Sequence, residues 1–146
     1  MATAFTASGV GSGIQTRTNI PGAIIEVCSY AITAAFVVND TVAFLNLPAN
    51  SRLLDVYLDV DPLDTTTGIV IAAGTSASPS LFISGATIGR SSTGGIQRAN
   101  TSGVVNYTST TDQQLVMKVT TAPTSGLTTG TVRMGVIYTM SANSNS

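Results

Sequence analysis

Along residues 52–61, apolar and polar side chains alternate. Leu54, Val56, Leu58 and Val60 fall on one parity, and Asp55, Tyr57, Asp59 and Asp61 on the other. A period of two places these sets on opposite faces of a strand, one buried and one wet. The alternation recurs in Leu115, Met117 and Val119, and again in Val132, Met134, Val136, Tyr138 and Met140. Ile137, on the other parity of that last row, predicts a strand covered on both faces. No window of eleven or more residues carries a helical stripe. Residues 31–38 are the one candidate, but they are rich in β-branched side chains and follow Ile24 and Ile25, so strand is expected there.

Turn residues cut the chain into strand-length pieces. The breaks are Asn39-Asp40, Pro48-Ala49-Asn50, Pro62, 74–79, 89–95, 122–126 and Gly130. Strands are predicted near 23–36, 41–47, 52–61, 67–73, 81–88, 95–99, 103–108, 113–121 and 130–140. Short strands with Gly and Pro between them predict an all-β domain, an antiparallel β-sandwich or jelly roll of about eight strands. Residues 1–22 are Gly/Ser/Thr-rich with isolated apolar side chains and no period, which predicts an extended N-terminal arm. The β-sandwich domain is expected over 23–141, with a flexible tail at 142–146.

Composition then narrows the class. A chain of 146 residues is one domain, able to bury roughly 70% of its unfolded surface without disulfides or metal. Only 9% of its residues are charged, against about 25% in an ordinary soluble domain. No charged residue lies between Asp64 and Arg90. Such a neutral surface does little to keep copies apart, and closed cyclic symmetry would bury it without open-ended growth; a homotrimer is expected. The six basic residues are scattered, which argues against nucleic acid as a partner. The apolar run 20–38 is interrupted by Glu26 and several hydroxyls, so no membrane span is expected. Residues 1–13 lack the basic and apolar regions of a secretory signal, which suits synthesis in the cytoplasm.

Candidate chemistry is sparse. With no histidine, neither a serine nor a cysteine nucleophile has its usual base. Cys28 has no partner for a disulfide and sits among apolar neighbours, so it reads as a small buried hydrophobe. Asp55, Asp59, Asp61 and Asp64 are the one notable cluster, four of the seven acids within ten residues. On an extended strand Asp55 and Asp59 stand about 13 Å apart. Only Asp59, Asp61 and Asp64 could converge on a cation, and their spacing matches no ion-wrapping loop. Glycoside hydrolysis would use two facing carboxylates and aromatic platforms, and the chain has no Trp. The acidic row therefore reads as the wet or partner-facing side of a sandwich. No catalytic residue, metal, cofactor or small-molecule substrate is expected. The candidate partner-binding residues are in the arm: Phe5, Val10, Ile14 and Ile20, spaced among glycines and hydroxyls, with Arg17 as the arm's only charged side chain.

The run 39–74, NDTVAFLNLPANSRLLDVYLDVDPLDTTTGIVIAAG, resembles the small head proteins of tailed bacteriophages, of the capsid decoration or cement type. The resemblance lies in Asn39-Asp40 ending a strand, the Leu47-Pro48-Ala49 turn, the strand 53–61 with its acidic end, Leu63-Asp64-Thr65, and the strand 69–74 closing on glycine. LFISGATIG, residues 81–89, is similar to the family's strand after the Ser/Pro loop. The resemblance implies a β-sandwich or jelly roll on the outside of a capsid, bound to the major capsid protein and often trimeric, with neither catalysis nor cofactor. Two other classes fit less well. A receptor- or glycan-binding fibre tip should expose loop aromatics, and residues 75–80 and 91–95 have none. A major shell or tube subunit would build the particle instead of decorating it.

Overall fold

A computed structural model describes residues 2–6 and 22–140. Nine strands succeed one another: β1 (Ala4–Thr6), β2 (Ile24–Ala31), β3 (Thr41–Leu47), β4 (Ser51–Val60), β5 (Val70–Thr75), β6 (Ile83–Ala86), β7 (Gly95–Arg98), β8 (Gln113–Thr121) and β9 (Thr131–Met140). They form two sheets, β1-β3-β8-β5-β6 and β2-β9-β4-β7. The two faces of each amphipathic strand explain the arrangement: each sheet turns its apolar parity inward onto the other.

The connectivity is nested. β5 pairs with β6, β4 with β7, β3 with β8 and β2 with β9, all antiparallel. Strands β2 to β9 thus make one long hairpin with β5–β6 at its tip, rolled so that successive rungs fall in alternate sheets. Pairs β5–β8 and β4–β9 seal the roll. This is the winding of a jelly roll, and it decides between the two architectures the sequence left open.

Val56, Leu58 and Val60 of β4 and Val132, Met134, Val136 and Tyr138 of β9 face Val42, Phe44 and Leu47 of β3 and Leu115, Met117 and Val119 of β8, all at most 1% exposed. Each such apolar side chain contributes about 1.5–3 kcal/mol by leaving water. Ile137 is half-buried on the outer face of β9.

The structure departs from the sequence reading at four places. Leu54, expected in the core, is 47% exposed, while Leu53 is 2% exposed. The β4–β9 register shifts between Leu53 and Asp55, so a bulge reverses the parity of the first residues of β4. Strand β2 stops at Ala31 instead of continuing to residue 36. The next residues bend back because Asn39 adopts φ 71 and the Asp40 carboxylate accepts the Val37 N–H at 2.8 Å; a local side-chain bond outweighs β-propensity. The strand expected at 103–108 is a short 3-10 turn, Ser102–Val104, capped by the Thr101 hydroxyl on the Gly103 N–H. Tyr107 then stands edge-on to Phe82, with ring centroids 5.1 Å apart.

The fourth departure lies in the arm. Ala4–Thr6 pairs in parallel with Thr41–Ala43, and the Thr3 N–H donates to Asp40 Oδ1 at 2.7 Å. The Phe5 ring lies 5.3 Å from that of Tyr30 and 6.0 Å from that of Phe36. It closes the side of the sandwich where β1 and β2 form the sheet edges.

Candidate interaction face

The outer face of sheet β2-β9-β4-β7 gathers most of the chain's distinctive surface chemistry. Its register aligns three rows: Ile25, Ile137 and Asp55; Val27, Gly135, Tyr57 and Arg98; Ser29, Arg133, Asp59 and Ile96. Gly135 is required in the middle row, because a Cβ there would overlap the Tyr57 ring. The tyrosine lies across the missing side chain, beside Val27. Ile25 is 64% exposed, Val27 52% and Ile96 64%.

The acidic row of β4 is matched by arginines from its neighbours. Arg98 Nε donates to Asp55 Oδ2 at 2.9 Å. Arg133 Nη1 lies 3.5 Å from Asp59 Oδ2 and 3.4 Å from Asp61 Oδ1. Asp61 Oδ2 also accepts the Thr131 N–H at 2.9 Å, and Asp55 Oδ1 accepts the Val56 N–H at 2.8 Å. Surface pairs of this kind add about 0–1 kcal/mol each; their effect is to leave the face nearly neutral. No two of these carboxylates are arranged across an open cleft as acid and base. Among the described residues, no three His, Cys, Asp or Glu side chains come together as metal ligands.

Asp64 does not join this row. It is completely buried, turned into the junction of two loops. Oδ1 accepts from the Thr66 N–H, the Thr66 hydroxyl and the Ser125 N–H; Oδ2 accepts from the Gly68, Ile69 and Thr124 N–H groups. Burial alone would raise its pKa, but the bonds from Thr66, Ser125 and Thr124 outweigh it and hold the carboxyl well below the usual carboxylate range. The convergence of Asp59, Asp61 and Asp64 considered from sequence does not occur. Cys28 is half-buried against the core rather than fully buried, and burial followed by the charge of Glu26 pushes its thiol pKa up. That makes it a poor nucleophile.

Of the partner-binding candidates named from sequence, Phe5 is placed on β1 with its ring against Tyr30 and Phe36. Val10, Ile14, Arg17 and Ile20 lie outside the described residues. Sequence reasoning did not single out Ile25 and Val27. Their signal was the odd parity of β2, opposite Ile24, Cys28 and Tyr30, and it shows only once the strand's phase is known.

No protein-family model matches the chain. No curated protein matches it either. Solved structures similar to it include the following two. A chain in "Capsid of Ralstonia phage GP4" superposes with a TM-score of 0.75 at 22% identity, covering 96% of this chain and 99% of that one. A chain in "Cyanophage Pam1 capsid asymmetric unit" gives 0.69 at 26% identity, covering 86% of this chain and 94% of that one. At this identity the first likeness is one of fold. The rolled hairpin described above is thus a fold also found, nearly end to end, in chains of bacteriophage capsid structures.

Proposed function

We propose that this chain is a structural protein of a bacteriophage particle, a decoration or cement subunit bound to the outside of the head and held by the major capsid protein. The observation that carries the reading is the TM-score of 0.75 over 96% of this chain and 99% of a chain from a phage capsid structure. Because the match spans almost all of both chains, that capsid component is itself a single small jelly roll of this size. The face chemistry supports the same reading. Its carboxylates are bound to arginines and backbone N–H groups, which suits a docking surface and not a reaction centre.

A cement subunit acts by mass action. It binds assembled shell and not free shell subunits, so each bound copy lowers the free energy of the assembled state. The four-stranded sheet offers a rigid, almost neutral plate for this. Residues 7–21 supply a second contact in the proposal, with Val10, Ile14 and Ile20 set into apolar pockets of the shell and Arg17 against an acid. The test is to assemble heads with and without this chain and heat both. Decoration requires that heads form without it, disrupt at lower temperature, and regain resistance when purified protein is added back. Failure of heads to assemble would mean a building subunit, and unchanged resistance would remove the cement role.

A further inference from the structure

β2 is an edge strand with few of the devices that usually blunt such an edge, the inward-facing Glu26 being the one it carries. It pairs with β9 over all eight residues, Ile24 to Ala31, without a bulge. Among the described residues it has no strand on its other side. It contains no proline, lysine or arginine. Natural proteins generally protect a long regular edge with one of these, because its free N–H and C=O groups recruit another strand.

The groups on offer can be named. The Ile32 N–H donates to Gly130 O at 2.8 Å, one step beyond the Ala31–Thr131 pair of the same register. Bonded pairs alternate in an antiparallel ladder, so the even residues of β2 turn their backbone groups to β9. Ile25, Val27, Ser29 and Ala31 turn theirs to the open edge. Their side chains share the outer face, and Ile25 and Val27 are 64% and 52% exposed.

We infer that this edge pairs antiparallel with β2 of a second copy, about a twofold axis at Val27. The edge is complementary to itself. Val27 meets Val27 in a doubly bonded pair, Ile25 stands opposite Ser29, and their exposed side chains cover one another on one face. Charge tolerates the contact: the strand's one charged group, Glu26, accepts the Tyr138 hydroxyl at 3.2 Å and stands opposite Cys28 of the other copy, so the two Glu26 side chains are diagonal neighbours and not directly opposed. The pairing joins two four-stranded sheets into one of eight. An edge takes one strand, so this contact closes at two copies; a threefold assembly must use another surface.

The experiment uses the purified chain and light scattering across micromolar concentrations, independently of any capsid. Val27→Pro removes one outward N–H and leaves the β9 ladder intact, as edge positions tolerate. Val27→Lys keeps the N–H and sets two like charges at the axis. The expected result is a mass of two chains for the wild type and of one chain for both variants, with circular dichroism spectra matching the wild type. A monomeric wild type would overturn the inference, since the edge would then be empty or covered by the chain's own residues. A dimer or trimer that survives both substitutions would overturn it too. If Val27→Pro fails to fold, Val27→Lys alone decides.

Discussion

Six hydrogen bonds converge on the Asp64 carboxylate, five of them from backbone N–H groups of two separate loops. No other acceptor among the described residues fixes so much chain, and a carboxylate suits the task because it accepts at both oxygens and donates at neither. Asp64→Ala leaves several N–H groups buried without partners, and we expect a loss of about 3 kcal/mol or more. Asp64→Asn should cost nearly as much, because its amide group points donors at donors; chemical denaturation measures both. The pH dependence has a definite sign. The folded-state pKa lies below the unfolded one, so the stabilisation is fully present above the unfolded value of about 4 and is lost as pH falls below it toward the folded value. The melting temperature should decline below about pH 4 in the wild type and less steeply in Asp64→Asn. Gly135 gives a second residue-scale test. Gly135→Ala must displace the Tyr57 ring and should cost about 1–3 kcal/mol. Adding Tyr57→Ala should recover part of that loss, a coupling that a double-mutant cycle reads directly.

At the scale of elements, β8 and β9 were legible because the alternation of their core rows is unbroken, and β3 because turn residues mark its ends, although its register shifts between Ala43 and Leu45. β4 was legible except at its start, where the bulge beside Leu53 reverses parity without any mark in composition. The false extension of β2 and the false strand at 103–108 have one cause. Asp40 and Thr101 bond locally to backbone N–H groups, and propensity does not register such bonds. The acidic row was read correctly as a surface, but not Asp64, since its burial depends on loops far away in sequence. β1 was hidden because three residues have no period. Its place in the sheet changes what removal of residues 2–20 should do. Loss of the half-buried Phe5 ring costs about 1–2 kcal/mol, so the melting midpoint should drop by about 3–8 °C, with the jelly roll retained. Asp40→Ala should produce part of that drop, as it releases both the Thr3 and Val37 N–H groups.

For the whole molecule, stability rests on one apolar core between two sheets, with the acids of β4 and Asp61 engaged by Arg98 and Arg133. A chelator should therefore shift the melting temperature by no more than about 1 °C, as differential scanning fluorimetry can check; a larger drop reversed by calcium would point to a cation among the acids of β4. The nested winding has a further consequence, for how the chain comes to fold. β9, the last strand among the described residues, lies between β2 and β4 and is the main-chain partner of both. While it is still within the ribosome, neither strand has its long partner, and the four-stranded sheet cannot assemble. Only the rungs at the tip of the hairpin are local. The outermost rung, β2 with β9, joins residues about one hundred positions apart or more, such as Ile24 and Tyr138, and contacts of that kind form slowly. Folding should thus wait for β9, in a late step, and a chain ending before residue 131 should remain an aggregation-prone intermediate instead of a smaller domain.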